Sequence, residues 1–261
     1  MTLLDLHCHL LPNSDDGTED ILTALSLAKV AVEQGISHLL VTPHHFDGKY
    51  LNHKRDVIQK AAQLQDELNK MQLPLQVFPS QEVHLHGELL EKIVADDILF
   101  MDETERYLLL ELPHDSIPQY THKIIFELTA RGIRPVIAHP ERNRAIQQDP
   151  EKLYELLELG CLTQLTCGSY LGVFGTTVQS LTEKIIQANQ GFIMASDAHN
   201  FDGRKFLLKE AFERLRIEEG EAIVSRMQQN AKDILNGADI DEVEISHISS
   251  LPKAKRKIWP F

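Results

Sequence analysis

The sequence predicts an α/β protein whose parallel strands form a closed or nearly closed barrel. Three observations support this prediction. Short apolar runs alternate with helical patterns between residues 20 and 200, and glycine repeatedly stands where a helical pattern gives way to an apolar run. The 261 residues, 43% of them hydrophobic, are also enough for one large core. We therefore expect one barrel domain over residues 1–245.

Seven apolar runs are predicted to be strands. In order they are Leu3–His7, Leu39–Thr42, Leu75–Pro79, Tyr107–Glu111, Pro135–Ala138, Leu162–Leu165 and Phe192–Ala195. Strands that alternate with helices imply parallel βαβ units, and seven such units favour a barrel over a short open sheet.

The helices between these strands show in apolar spacing and in glycine. Val57, Ala61, Leu64, Leu68 and Met71 follow a 4-3-4-3 spacing, which predicts an amphipathic helix with its apolar stripe in the core. Four glycines are expected to end helices with a positive φ and to lead into the next strand: Gly35, Gly132, Gly160 and Gly191.

The pattern lapses after about residue 236, and residues 246–261 are predicted to be a basic-aromatic tail. Its charged residues are Lys253, Lys255, Arg256 and Lys257, followed by Ile258-Trp259-Pro260-Phe261. A solubilising end, a docking element and a contact with an anionic membrane surface all remain open for it.

Composition limits the choice of function. The formal net charge is -13, which argues against nucleic acid as a general partner. Three cysteines without paired spacing predict no disulfide framework and favour a cytoplasmic location. We expect no export signal and no membrane span, because no apolar run reaches about 18 residues.

Polar residues follow the predicted strands where a barrel of this type holds its active site. His7 and His9 follow the first strand and Asp197 and His199 the last, and in each pair both side chains point to one face. The other candidates are His44, Glu82, Glu111 and His139, while His45, His84 and His86 compete for the roles of Glu82 and His44.

Imidazoles combined with carboxylates suit Mn²⁺, Fe²⁺ or Zn²⁺. A cluster of two or three such ions would favour hydrolysis as the reaction. Thiol-based tyrosine phosphatase chemistry needs a cysteine followed six positions later by arginine. Here Cys8, Cys161 and Cys167 are followed at that distance by Ser14, Cys167 and Val173, so this chemistry is excluded.

These motifs resemble a known family. The segment Asp5 to Gly17, Thr42-Pro-His-His45, Gln81-Glu82, Leu110-Glu111, Ala138-His-Pro-Glu-Arg142 and Ser196-Asp-Ala-His-Asn200 together resemble the polymerase and histidinol phosphatase (PHP) superfamily. Within it, the chain is similar to the bacterial manganese-dependent protein-tyrosine phosphatases that accompany capsule and exopolysaccharide kinases.

The resemblance implies a distorted seven-stranded (β/α) barrel with a trinuclear site. His7, His9, Glu82 and Asp197 would hold one ion, Glu82 would bridge to a second ion held by Glu111 and His139, and Asp16, His44 and His199 would hold a third. Mn²⁺ is expected first, with Fe²⁺ or Zn²⁺ as alternatives. Matching the motif selects Asp16, whereas the sequence by itself does not separate it from Asp15, and either aspartate could cap the following helix.

The resemblance also assigns phosphate binding to Arg142 and Arg204, since guanidinium groups grip phosphate oxygens in a bidentate way. The implied reaction is direct hydrolysis of phosphotyrosine on a bacterial tyrosine kinase that controls capsule synthesis. Two alternatives remain at this point: a phosphoesterase for small metabolites such as histidinol phosphate, and a non-catalytic regulatory module with structural metals. The oligomeric state is left open.

Overall fold

The parallel strands predicted from the sequence are present, but two of them are broken. The structure, a computed structural model, describes residues 2–251. Within that range the strands are β1 (Leu3–Cys8), β2 (Ile36–Val41), β3 (His44–His45), β4 (Gln76–Pro79), β5 (Glu82–His84), β6 (Tyr107–Glu111), β7 (Arg134–Ala138), β8 (Leu162–Thr166) and β9 (Ile193–Ala195).

Helices connect these strands along most of the chain. They are α1 (Ile21–Glu33), α2 (Lys54–Lys70), α3 (Leu89–Val94), α4 (Thr121–Ala130), α5 (Arg144–Gln148), α6 (Glu151–Glu158), α7 (Cys167–Tyr170), α8 (Thr176–Gln187), α9 (Leu208–Glu219) and α10 (Glu221–Leu235). Two short 3₁₀ helices cover Pro140–Arg142 and Ile248–Ser250.

The strands form two parallel sheets, with orders β1-β2-β4 and β3-β5-β6-β7-β8-β9. The strand pair β2 and β4 ends at Val41 and Pro79, and the pair β3 and β5 resumes with His44 opposite Glu82. Pro43 lies in the first gap and has no N–H for the ladder, so pairing stops there. The sequence patterns missed β3 and β5 because each is only two or three residues long.

The first and last strands meet where the site lies. An isolated parallel bridge joins Cys8 to Ala198. The amide of Asp197 donates to His7 O, and the amide of His9 donates to Ala198 O, both at 2.9 Å. The parallel α/β class is thus confirmed, although within residues 2–251 the ladders do not run continuously around a closed barrel.

Most of the predicted helix stripe lies in the core. Val57, Ala61, Leu64 and Leu68 are buried on α2, as the spacing predicts. Met71 is the exception, because α2 ends at Lys70 and the Met71 side chain is 41% exposed. The 4-3 pattern therefore continued by one residue beyond the helix.

Three of the four expected glycines have a positive φ, namely Gly35, Gly132 and Gly160. At the fourth position the prediction was wrong: Asn189 carries the positive φ of 57° after α8. Gly191 serves a different purpose, since a Cβ there would lie 2.7 Å from the Leu165 side chain. It is needed for close packing against β8.

The first residues of the predicted tail pack against the α/β body. The Ser246 amide donates to Ala188 O at 3.0 Å, and the His247 ring stacks on Tyr154 of α6 with centroids 3.8 Å apart. The basic-aromatic run from Pro252 to Phe261 lies outside the described residues, and the boundary at 245/246 stays a prediction.

Across residues 2–251, no helix combines the length and the apolar character that crossing a bilayer would require.

Candidate metal centre

The structure brings all nine predicted metal ligands into one cluster at the carboxyl ends of the strands. Their ligand atoms form four overlapping groups: His9, Asp16, His44 and His199; His7, Glu82 and His139; His7, His9 and Asp197; and His44, Glu82 and Glu111. Every predicted ligand belongs to at least one group.

The deepest part of the cluster comes from β1 and the segment after β9. His7 Nε2 lies 3.1 Å from His9 Nε2, and Asp197 Oδ1 lies 3.6 Å and 3.4 Å from these two nitrogens. All three side chains are buried. The alternation of side chains along β1 aims both imidazoles at the same point, as predicted.

Glu82 lies at the centre and faces two ways. Its Oε1 lies 2.7 Å from His139 Nε2, whereas its Oε2 lies 3.2 Å from His7 Nε2, 3.3 Å from His9 Nε2 and 2.9 Å from His44 Nδ1. A carboxylate whose two oxygens face different groups of nitrogens has the arrangement of a bridging ligand.

Asp16 and Glu111 form the outer part of the cluster. Asp16 Oδ1 lies 3.4 Å from His44 Nε2 and 3.3 Å from His199 Nε2. Glu111 Oε1 lies 3.9 Å from His139 Nε2, and its Oε2 lies 3.8 Å from His44 Nδ1. Both carboxylates are partly exposed, unlike Glu82 and Asp197.

Three histidines are oriented by an oxygen that is not one of the ligand atoms of the cluster. The Nδ1 atoms of His7, His9 and His199 lie 2.7 Å from Gln164 Oε1, 2.6 Å from Asp15 Oδ2 and 2.9 Å from Asp197 O, respectively. If each Nδ1 carries the proton, each Nε2 presents a lone pair to the cluster. Metal-binding histidines are commonly oriented in this way.

Asp15 and Asp16 have different surroundings, although the sequence did not separate them. Besides His9, Asp15 accepts hydrogen bonds from the Gly17 amide at 2.9 Å and the His44 amide at 3.0 Å. Asp16 instead faces His44 and His199. Neither aspartate caps α1, whose N-cap is Asp20. Asp15 thus supports the site from behind, while Asp16 lies in it.

The backbone is strained at two of the site residues and tightly packed beside a third. His139 and Asp197 have φ values of 33° and 52°, in the left-handed region that non-glycine residues rarely adopt. Gly17 lies so close to β1 that a Cβ would be 2.0 Å from His9 O. These constraints turn side chains at the strand ends into the cluster.

Positively charged neighbours keep two buried carboxylates of the cluster ionised. Burial by itself raises the pKa of Glu82, but His7, His44 and His139 outweigh it and hold this pKa well below the ordinary value. Burial likewise raises the pKa of Asp197, and the charges of Arg142 and His7 reverse the effect. Two carboxylates therefore stay ionised in a buried place, which requires positive charge nearby.

The two predicted arginines lie beside the cluster and pair with its carboxylates. Arg142 forms an ion pair with Asp197, and its guanidinium carbon lies 4.9 Å from the centre of the Phe174 ring. Arg204 forms an ion pair with Asp16. Both side chains are partly exposed.

The donor set fits divalent metal ions. His44 Nδ1, Glu82 Oε2 and His199 Nε2 are buried without a hydrogen bond in the described residues, although the first two are 2.9 Å apart. Unpartnered buried polar atoms are costly, and coordination would satisfy them. Five imidazoles with four carboxylates match the ligand preferences of Mn²⁺, Fe²⁺ and Zn²⁺.

The three competing histidines fall outside the groups of ligand atoms. His45 Nδ1 accepts from the Asn52 amide at 3.2 Å, and burial lowers the pKa of His45 to about 4. His86 packs on the Phe46 ring. His84 Nδ1 lies 3.1 Å from Glu111 Oε2, so it supports that carboxylate.

Sequence analysis missed Gln164, and it named His84 only as a competing ligand rather than as a supporting residue. The available signal for Gln164 was its position in β8, which is buried along its whole length. A buried amide usually has a hydrogen-bond partner, so a glutamine there indicates a specific contact. The alternation of Glu82 and His84 along β5 was the signal for His84.

Fold and site together define a class: a parallel α/β protein with a candidate polynuclear metal centre at the carboxyl ends of its strands. The family model described as capsular polysaccharide synthesis, CpsB/CapC, matches residues 3–236. The chain belongs to this CpsB/CapC family.

Two relatives and one solved structure agree with this assignment. Tyrosine-protein phosphatase YwqE of Bacillus subtilis is 38% identical over 91% of this chain and 93% of its own length. CapC of Staphylococcus aureus is 35% identical over 92% and 94%. A crystal structure from work on YwqE and on CpsB of Streptococcus pneumoniae, both described as unique metal-dependent tyrosine phosphatases, matches with a TM-score of 0.90 and 37% identity over 93% of this chain and 98% of that chain.

Proposed function

We propose that this protein is a metal-dependent protein-tyrosine phosphatase. The main support is the cluster of five imidazoles and four carboxylates, with Arg142 and Arg204 paired to two of its carboxylates. The 38% identity to YwqE adds to this support. The three cysteines are buried, and burial raises the pKa of each thiol, so none is suited to act as a nucleophile.

We assign the ligands in three sets. The first set is His7, His9, Glu82 and Asp197; the second is Glu82, Glu111 and His139; and the third is Asp16, His44 and His199. The two-way orientation of Glu82 supports its bridging role, and the distances from Asp16 to His44 and His199 support the third set. We propose two or three ions, with Mn²⁺ as the native metal.

Metal ions held by these residues would polarise the phosphoryl oxygens and make a water nucleophilic near neutral pH. Arg142 and Arg204 would bind the remaining phosphoryl oxygens, where charge accumulates during transfer. To do so, each guanidinium keeps one donor on its carboxylate, Asp197 or Asp16, and turns another toward the substrate. The same carboxylates thereby hold the two arginines in position.

Four further features belong to the proposal. The seven strand segments would form a distorted (β/α)7 barrel whose sides meet at the Cys8–Ala198 bridge. The physiological substrate would be a phosphotyrosine-bearing tyrosine kinase of capsule synthesis, which the family description supports. Such a substrate, together with three free thiols, supports a cytoplasmic location. The tail would begin at Ser246.

Metal removal and return tests the proposal. The purified protein is stripped with a chelator and assayed on a phosphotyrosyl peptide after addition of Mn²⁺, Zn²⁺ or Mg²⁺. We expect no turnover without metal and the largest recovery with Mn²⁺. Turnover of histidinol phosphate well above that of the peptide would contradict the proposed substrate, and full activity of the stripped protein would contradict the metal dependence.

A further inference from the structure

A polar groove of about 500 Å³ opens beside the metal centre. We define it by six of its lining residues: Asn13, Ser14, Tyr50, Asn52, Gln59 and Gln63. Ser14 directly precedes Asp15 and Asp16, and the Tyr50 ring lies nearly parallel to the His44 ring, with centroids 6.2 Å apart. The polar groove and the metal centre therefore share a wall.

The shared wall is fixed before any ligand binds. The Asn52 side-chain amide donates to Ser14 O and to His44 O, both at 2.8 Å. Lys60 Nζ donates to Asn13 O and Ser14 Oγ, both at 2.9 Å. A ligand in the polar groove would meet a formed surface, which lowers the ordering cost of binding.

One face of α2 supplies unused hydrogen-bonding groups to this groove. Gln59 and Gln63 are four residues apart and both exposed, on the side opposite the buried Val57 and Leu64. Neither the Gln59 nor the Gln63 side chain makes a hydrogen bond to another residue in the range 2–251. Each amide offers a donor and an acceptor, which is what the main chain of an extended peptide needs.

We infer that the polar groove binds the polypeptide that flanks the phosphotyrosine, with Gln59 and Gln63 bonding its main chain. This inference rests on the proposed function. A phosphotyrosyl side chain that reaches the metal centre leaves its own backbone at the rim, and an extended chain advances about 3.3 Å per residue. The substrate residues next to the phosphotyrosine would then lie along α2. A small phosphate ester has no such residues and would not contact the polar groove.

The test compares two substrates on one double variant. Gln59→Ala/Gln63→Ala is assayed on a phosphotyrosyl peptide with flanks on both sides and on p-nitrophenyl phosphate. We expect kcat/KM for the peptide to fall about tenfold, mainly through KM, because two neutral hydrogen bonds are lost. Turnover of p-nitrophenyl phosphate should stay unchanged. The matched control is Gln76→Ala/Gln148→Ala, which removes two exposed glutamines outside the groove.

Truncated peptides sharpen the result. Removing the residues on one side of the phosphotyrosine should lower wild-type kcat/KM by a similar factor, and on that shorter peptide the double variant should match the wild type. An equal loss on both substrates, or no loss on the peptide, would overturn the inference. A wild-type enzyme that hydrolyses p-nitrophenyl phosphate but no phosphotyrosyl peptide would instead overturn the proposed function.

Discussion

The deep and the outer halves of the metal centre are built differently. The deep half comprises His7, His9, Glu82 and Asp197, whose side chains are at most 2% exposed. The outer half comprises Asp16, His44, Glu111, His139 and His199. The first four are 36%, 13%, 19% and 11% exposed, whereas His199 is buried. Strand alternation and strained strand ends position the deep ligands, whereas a short strand and a loop carry much of the outer half. We therefore expect the deep half to be strictly required and the outer half to adjust activity.

The largest effect is expected for His7→Ala in the deep half. Replacing a residue behind a metal ligand typically costs about 10- to 100-fold in affinity or activity, so losing a proposed ligand should lower phosphotyrosyl turnover by more than about a hundredfold. Metal content measured after dialysis should fall as well. His122→Ala is the control, since this histidine is half exposed on α4. Retention of more than a tenth of wild-type activity by His7→Ala would contradict the deep assignment.

A smaller effect should separate the two neighbouring aspartates. Asp16→Asn should lower turnover about 10- to 100-fold, less than His7→Ala, because asparagine keeps one side-chain oxygen that can bind a metal ion. The melting temperature should stay nearly unchanged, because Asp16 is partly exposed. Asp15→Asn should lower the melting temperature, since Asp15 is buried and holds His9, Gly17 and His44 together. Calorimetry and peptide turnover on both variants provide the check. The reverse pattern would exchange the two roles.

The smallest effect is expected from thiol alkylation. Iodoacetamide at pH 7.5 should leave activity unchanged over an hour, because burial raises the pKa of Cys8, Cys161 and Cys167 and keeps all three protonated and out of reach. Mass spectrometry of the treated protein should find these three thiols unmodified while it is folded. Inactivation that follows modification of one cysteine would reopen thiol-based chemistry.

Three of the four deep ligands could be predicted from local spacing. Glu82 and much of the outer half could not, because His45, His84 and His86 competed for the roles of Glu82 and His44. His7 and His9, like Asp197 and His199, are two residues apart next to apolar runs, so the periodicity itself indicates a shared face. The choice of Asp16 over Asp15 needed family resemblance, because both lie in a loop where no periodicity applies. Gln164 and Asp15 were not predicted as supports, since their role depends on contacts between distant segments.

The fold shows the same division. The seven strand segments follow from apolar runs between helical patterns, and they are present in the structure. The breaks before β3 and β5 were not predicted. Pro43 marks the break before β3. Whether a chain resumes its pairing beyond a proline depends on the neighbouring strand, and a local sequence pattern holds no information about that strand.

These two breaks have a consequence for how the protein can change. Val41 pairs with Pro79 before the breaks and His44 with Glu82 after them, and each pair is 38 residues apart in the chain. An insertion or deletion in one break alone would slide His44 off Glu82 and turn one side chain to the opposite face. A change of length is therefore tolerable only when both breaks change together. This makes either break alone a poor place to cut or lengthen the chain in engineering.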